Sequence, residues 1–522
     1  SNQAEPYFDL AILHKRLKDD KKAEKFLEKG MEQINANRGI ISSIGRKLEN
    51  AALYQEAQFL YEYAGKLNLG YGFNLELANL YGVQGQTSKM VQAYINLVRE
   101  NPAYMNSVQS ALIRYLDFTD DQEQAELLRT ELLLAVQEHP DNTHLAELLI
   151  WYYYQMAEFA PAFAQLRALD LRFNEQGERI FEFAQLAARN REYNVAYRAY
   201  DYLLEQYSNS SIKSQVITQR AKMAYLELEQ IPYPSSEEIN KVMGAFDQAI
   251  GDLGKNAGTA SLLIDYADYT LKYGAGAEAA IALLQDVLDI PNLYDRVRGL
   301  AKLRLADIYV IQGKIWEATL LYGQVDMAFK EDELGAEAKY RKAKIAFYTG
   351  DFEWAQAQLD ILKSATSELI SNNAMELSLL ISNNFNLDTV REPLELYAAA
   401  DLAVVQNKVD EALLLLDSLE LQYPSHSLGD EILMVRYQVA MKRKEFDLAA
   451  KHLNKILEFH AFDLLGDNAL FLLANLYLNE LGDREKAAEL FEKLLIDYPG
   501  SLFIIESRKQ FRRLRGDIYF EG

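Results

Sequence analysis

Residues 306–325, ADIYVIQGKIWEATLLYGQV, hold the pattern that decides the fold of this 522-residue chain. Ala306 and Tyr309 lie three apart, Gly313 follows, and Ala318, Tyr322 and Val325 recur at intervals of four and three. Such intervals place side chains on one face of an α-helix, and the glycine between the two faces ends the first helix. The stretch therefore predicts a helical hairpin whose small residues allow close approach while tyrosine and leucine fill the gaps. Neither helix can bury its apolar stripe alone, so hairpins must stack on one another.

The same phase recurs on both sides. Ala78, Tyr81, Gly85, Met90, Tyr94, Leu97 and Pro102 repeat it and add a proline that stops the second helix. Ala343, Gly350, Ala355 and Leu359 form another copy, as do Ala403, Asn407, Ala412, Leu416, Leu419 and Pro424. Tyr437, Ala440, Ala449, Leu453 and Ile456 fit as well. The last copy, Ala474, Tyr477, Gly482, Ala487, Phe491, Leu494 and Pro499, carries one extra residue before its glycine. Towards the N-terminus the pattern thins to Ala11, Ala23 and Leu27, then Gly45, Ala57, Tyr61 and Ala64. It continues through Ala184, Ala187, Ala196, Tyr200 and Leu203.

These residues resemble the tetratricopeptide repeat, with its small and aromatic positions, glycine turn and closing proline, over nearly the whole chain. About 13 units of roughly 34 residues can be traced. The resemblance implies an all-α, right-handed superhelical solenoid of stacked helix–turn–helix repeats. It also implies a concave groove that binds a protein or an extended peptide through aromatic and Asn, Gln or Arg side chains of the first helices. Some relatives grip a C-terminal carboxylate with Lys and Asn on one first helix. Asn79 and Asn475 stand where such an Asn would sit, but Leu75 and Phe471 replace the Lys four residues earlier, so that clamp is not supported.

Composition agrees with long helices. Hydrophobic residues make up 49%, with only 10 Pro and 26 Gly, and no stretch alternates apolar and polar residues in the manner of a strand. Three segments break the rhythm: 230–238 with Pro232 and Pro234, 251–258, and 383–393 with Asn383, Asn384, Asn386, Asp388 and Pro393. The last leaves a helix from about Glu368 to Ser382 without an evident hairpin partner. The expected division is an N-terminal array over 1–230, a middle array over 231–385, a C-terminal array over 386–500, and a terminal capping helix and tail over 501–522. Arg508, Lys509, Arg512, Arg513 and Arg515 make that terminal helix basic in a chain with 77 acidic and 54 basic residues. A solvated cap on the last repeat accounts for it. A patch that docks an acidic partner, with Arg508, Arg512 and Arg513 as contacts, is the sharper reading.

A net charge of −23 argues against nucleic-acid binding, which needs a concentrated basic face. With no cysteine there is no disulfide, thiolate metal site or cysteine nucleophile. No apolar run of about 20 residues predicts a membrane span. Ser1 and Asn2 read as the scar of tag removal from a trimmed N-terminus. The six histidines, His14, His139, His144, His426, His452 and His460, include no His-Glu-x-x-His pair, and are expected at the surface. No phosphate-binding glycine loop and no nucleophile elbow occurs. The carboxylate pairs Asp19/Asp20, Asp120/Asp121 and Glu237/Glu238 read as caps and solvated turns. The sequence thus points to a chain that is not an enzyme and takes no cofactor and no metal.

Tyrosine is abundant, at 33 residues, and Trp151, Tyr152, Tyr153 and Tyr154 form an aromatic run. A helix cannot bury four consecutive residues, so at least one of these is expected to reach the concave surface or a neighbouring repeat. The candidate partner-binding residues are accordingly Asn79, Trp151, Tyr152, Tyr153, Tyr154, Asn475, Arg508, Arg512 and Arg513. The expected function is a non-enzymatic interaction scaffold or adaptor for a protein or peptide partner. The Tyr-Pro endings at Tyr423-Pro424 and Tyr498-Pro499 are similar to those of bacterial cell-envelope repeat proteins, which implies a role in envelope complex assembly and a periplasmic or other exported location. The alternative is a cytoplasmic regulator whose superhelix closes around a short signalling peptide.

Overall fold

The computed structural model describes residues 4–34, 37–67, 72–118, 121–208, 210–364, 368–385, 390–424, 426–461 and 465–515. Ser1, Asn2, Asp120, Asn386, Asp388 and the part of the expected tail over 516–522 lie outside them. Every regular element among the described residues is a helix, and successive helices pair into hairpins as the 306–325 pattern predicts. The fold is all-α. No helix among the described residues is long and apolar enough to cross a membrane.

The chain forms two compact units, Ser1–Ile212 and Lys213–Gly522. Unit 1 contains α1 (Glu5–Arg16), α2 (Asp20–Glu32), α3 (Arg38–Asn50), α4 (Tyr54–Gly65), α5 (Asn74–Val83), α6 (Thr87–Glu100), α7 (Met105–Tyr115), α8 (Gln122–Glu138), α9 (Thr143–Gln155), α10 (Phe159–Phe173), α11 (Glu178–Arg189) and α12 (Tyr193–Gln206). Unit 2 begins within α13 (Ile212–Leu228) and continues with α14 (Ser236–Leu253), α15 (Ala260–Tyr273), α16 (Ala277–Asp289), α17 (Asp295–Ile311), α18 (Ile315–Ala328), α19 (Glu333–Tyr348), α20 (Phe352–Leu362) and α21 (Glu368–Phe385). It ends with α22 (Glu392–Val405), α23 (Val409–Gln422), α24 (Gly429–Lys442), α25 (Phe446–Phe459), α26 (Gly466–Asn479), α27 (Arg484–Asp497) and α28 (Ile504–Arg515).

One backbone device turns most of the hairpins. Gly85, Gly313 and Gly350 adopt the left-handed conformation, and the amide after each donates to the carbonyl five residues earlier: Gln86 to Tyr81 (2.8 Å), Lys314 to Tyr309 (2.8 Å) and Asp351 to Ala346 (2.9 Å). This closes the end of the first helix and redirects the chain within two residues. Where glycine is absent, the device persists on other residues. Lys18, Ala52, Ala157, Arg191, Asn407 and Lys444 all have positive φ, and the amides that follow them make the same bond, for example Glu158 to Tyr153 at 2.8 Å. At Gly482 the extra residue widens the loop, and Asp483 reaches six residues back to Tyr477 at 3.0 Å.

The cores are built from the small-and-aromatic spacing. A Cβ added at Gly45 would lie 2.1 Å from the Tyr61 hydroxyl, so the glycine lets α3 seat directly on the Tyr61 side chain. That hydroxyl donates to Glu49 Oε1 at 2.8 Å, which satisfies the one polar atom the packing buries. Carboxylates read as caps do cap: Asp19 and Asp121 accept the backbone amides of Lys22 and Gln124, and Ser235 with Glu238 forms a capping box on α14. The break expected at 251–258 is shorter than predicted, because α14 runs through Gly251 and ends at Gly254.

Two features of unit 2 depart from simple stacking. The helix that lacked an evident partner, α21, packs on α20 and adds Ile370, Ala374, Leu377 and Ile381 to the core shared by α19, α20, α22 and α23. Ser427 Oγ donates to its Asn384 Oδ1 at 2.5 Å, and its Glu376 is held by Asn468 at the start of α26. The extra helix thus braces later hairpins. The proline-containing loop between α13 and α14 also reaches the far end of its own unit. Tyr233 donates to Glu480 Oε2 at 2.5 Å, and Lys444 Nζ lies 4.4 Å from the Tyr233 ring centroid.

Replacing Ala157 or Arg191 by glycine should raise stability by about 0.5–1 kcal/mol, the left-handed strain relieved less the added freedom of the unfolded chain. Urea denaturation of each variant measures it. At Glu376, burial raises the carboxyl pKa above its ordinary 4.5 with help from Asp467, against the opposing Asn468 hydrogen bond. The folded state therefore takes up this proton before the unfolded state does. Its charged form costs stability at neutral pH, and the cost is relieved as pH falls through the raised value. Glu376→Gln should melt higher than the parent at pH 7, with the gap closing as pH is lowered towards 4.5.

Candidate functional site

The first helices of unit 2 are cross-linked by a ladder of charges. Each of three helices presents two charged residues three apart, one directed to the helix before and one to the helix after. On α15, Asp265 meets Lys222 of α13 at 2.6 Å, and Asp268 meets Arg304 of α17 at 3.1 Å. On α17, Arg304 is joined by Asp307, which pairs with Arg341 of α19. On α19, Lys344 lies 3.8 Å from Asp401 of α22. Three-residue spacing puts both members on one helical face, so the ladder marks a single continuous surface.

At Arg341 the ladder is most tightly built. Its Nε donates to Glu337 Oε1 at 2.8 Å, its Nη1 donates to Asp307, and Tyr322 donates to the other Asp307 oxygen at 2.6 Å. Burial alone would lower the Arg341 pKa, but the carboxylates of Asp307 and Glu337 overcome it and raise the value. Burial, Asp307 and its hydrogen bond hold the Tyr322 phenol far above its ordinary range. The Arg341 guanidinium therefore stays charged and the Tyr322 phenol neutral.

Beside this cluster lies a cavity of about 310 Å³, floored by Val310, Ile311, Ile345 and Val405 and walled by Tyr340, Arg341, Lys344 and Tyr348. The Tyr348 hydroxyl is enclosed near Asp401 yet makes no hydrogen bond of good geometry. Lys344 Nζ lies 5.5 Å from the Tyr348 ring centroid. Across the cavity edge, Gln406 Nε2 donates to the Val310 carbonyl at 3.3 Å and ties α22 to α17. At the lower end of ligand-pocket sizes, this space suits one large side chain with a polar tip.

The residues singled out from sequence are dispersed and mostly engaged. Tyr94 donates to Asn79 Oδ1 at 2.7 Å within its own hairpin, and Asn475 Nδ2 donates to the Phe471 carbonyl one turn back. Tyr152 and Tyr153 are core residues, 1% and 3% exposed. Trp151 meets Phe118 edge-on, and Tyr154 stacks on Phe183 of α11 with centroids 6.2 Å apart. Arg508, Arg512 and Arg513 are exposed on α28. Not every histidine is at the surface: burial, Arg436 and Lys455 lower the pKa of half-buried His452. No group of three metal-ligating side chains occurs among the described residues.

Sequence reading missed the ladder and its cavity. Their signal was present as Asp265-x-x-Asp268, Arg304-x-x-Asp307 and Arg341-x-x-Lys344, one charged pair per repeat, but was hidden among many exposed charges. It also missed an apolar stripe on the opposite side of α18, where Trp316, 85% exposed, is followed by Leu320 and Met327.

No known family matches the chain, and no curated protein matches it. Solved structures with similar backbones include Naa15/Naa10 bound to HypK-THB, at 15% identity over 98% of this chain and 96% of that one, with a TM-score of 0.27. Yeast Tom70 matches at 15% identity over 91% and 94%, TM-score 0.24, and a tetratricopeptide repeat protein from Parabacteroides merdae ATCC 43184 at 12% over 65% and 99%, TM-score 0.22. At such scores the likeness adds no weight. The helical-repeat assignment rests on the paired helices and their recurring turn.

Arg341→Met should destabilise unit 2 by about 2–3 kcal/mol, because it leaves Asp307 and Glu337 facing each other without their shared cation. Arg341→Lys should recover part of this, since it restores charge without the two-pronged geometry. Thermal and urea unfolding of both variants, compared with Arg508→Met as a surface control, gives the answer.

Proposed function

We propose that this chain is a non-enzymatic scaffold that holds an extended segment of a partner protein along the first helices of unit 2. The observation that carries this reading is the cavity wall at Tyr348, where a buried phenol hydroxyl close to Asp401 lies in an aromatic and apolar recess. A ligand side chain with a polar tip would fill this recess and meet that hydroxyl at its wall. The charge ladder beside it supplies rigid, pre-positioned groups for the backbone and charged side chains of such a segment. Hydrogen-bonded, fixed charges favour recognition over turnover.

The proposed place of work is an exported compartment of a bacterial cell, in the assembly of envelope complexes, a reading that rests on the similarity of the Tyr423-Pro424 and Tyr498-Pro499 endings to those of bacterial cell-envelope repeat proteins. A photo-crosslinking residue at position 340 tests both proposals, with one at position 316 on the opposite face as the comparison. The expected result is one recurring partner, crosslinked from position 340 through a single short segment and recovered from envelope extract rather than soluble extract. Tyr348→Ala with Lys344→Glu should weaken that capture about tenfold or more. Crosslinks from position 316 alone would sink the groove reading. A short free peptide from soluble extract would favour the cytoplasmic regulator.

A further inference from the structure

The two ends of the described chain carry complementary surfaces, and neither is used by the groove of unit 2. Near the N-terminus, a groove of about 870 Å³ runs between α2 and α4, with Leu27, Met31 and Phe59 in its lining. Phe59 is 60% exposed. One wall is an acidic stripe at intervals of four along α2. Its first member, Asp20, is paired with Lys15 at 3.1 Å, whereas Glu24, Glu28 and Glu32 have no ion-pair partner among the described residues.

At the other end, α28 packs Ile504, Phe511 and Leu514 against the last hairpin. Its outer face leaves Ile505 75% exposed, followed by Arg508 and Arg512, with Arg513 alongside. These three arginines have no ion-pair partner among the described residues. Residues four apart on a helix are separated by about 6 Å along its axis. Arg508 and Arg512 therefore match the spacing of two successive glutamates on α2, and Ile505 adds an exposed apolar side chain to the same α28 face.

We propose that copies of this chain associate head to tail, the outer face of α28 in one copy seating in the groove between α2 and α4 of the next. The groove wall lined by Glu24, Glu28 and Glu32 and the arginine face of α28 are opposite in charge, so the contact joins unlike surfaces of two copies. One helix in one groove buries less surface than a stable interface needs, and its exposed ion pairs are screened by salt. The association is accordingly reversible, with a dissociation constant on the order of 10–100 µM at low ionic strength.

The test is sedimentation velocity of the full chain across that concentration range, at low and at high salt. The parent should form oligomers that revert to monomer at high salt. Glu24→Lys, Glu28→Lys and Glu32→Lys together make a head variant, and Arg508→Glu, Arg512→Glu and Arg513→Glu a tail variant. Each should remain monomeric alone. Mixed together, they should form dimers and stop there, because one variant keeps a working tail and the other a working head. That mixture also shows that both variants remain folded. A parent that stays monomeric at low salt would overturn the proposal, as would single variants that assemble like the parent. A mixture that gives only monomers would overturn it equally. A parent that stays monomeric yet binds a peptide of residues 501–515 in the groove would assign the groove to a different basic partner.

Discussion

One backbone constraint underlies the whole structure: at the end of most first helices, a residue enters the left-handed conformation and the next amide bonds five residues back. This fixes the angle at which the second helix departs, and with it the face each hairpin offers to its neighbours. Glycine meets the requirement without strain at Gly85, Gly313 and Gly350, but the chain imposes it equally on Ala52, Ala157, Arg191 and Lys444. Packing on both sides of each hairpin supplies the energy that holds those residues there. Where glycine is absent, stacking enforces the turn that glycine would have favoured locally.

On that frame, the first helices of unit 2 carry their charges as a connected ladder. Asp268, Arg304, Asp307 and Arg341 each satisfy a partner on an adjacent hairpin, so polar side chains that would be mobile on an isolated helix are held in place. Ordering is paid by the fold and not by a ligand, which is the physical basis for reading this surface as a recognition surface. The tyrosines divide by the same logic. Tyr322 gives its hydroxyl to Asp307, Tyr61 to Glu49 and Tyr94 to Asn79, whereas Tyr348 lines the cavity with its hydroxyl beside Asp401.

Unit 2 is more than a stack of equal hairpins. The added helix α21 interrupts the alternation between α20 and α22, yet its Ile370, Ala374, Leu377 and Ile381 extend the same core. Through Asn384 and Glu376 it also touches the loop before α24 and the start of α26. The contact of Tyr233 with Glu480 and Lys444 joins residues near opposite ends of the unit. Both features restrain a surface that simple nearest-neighbour stacking would leave free to flex.

By itself the sequence determined the secondary structure, the hairpin pairing and the faces that become core. Intervals of three and four with a glycine between them are local, and local geometry is what a helix and its turn obey. It also exposed the basic terminal helix, because composition is visible without coordinates. Tertiary structure alone decided which polar residues are free. Asn79 and Tyr153 looked available and are engaged or buried, while Arg341, Lys344 and Tyr348 looked ordinary and line the cavity. It alone decided where α21 and Tyr233 go. Those outcomes depend on groups brought together from distant repeats, and the spacing within any one repeat carries no record of them.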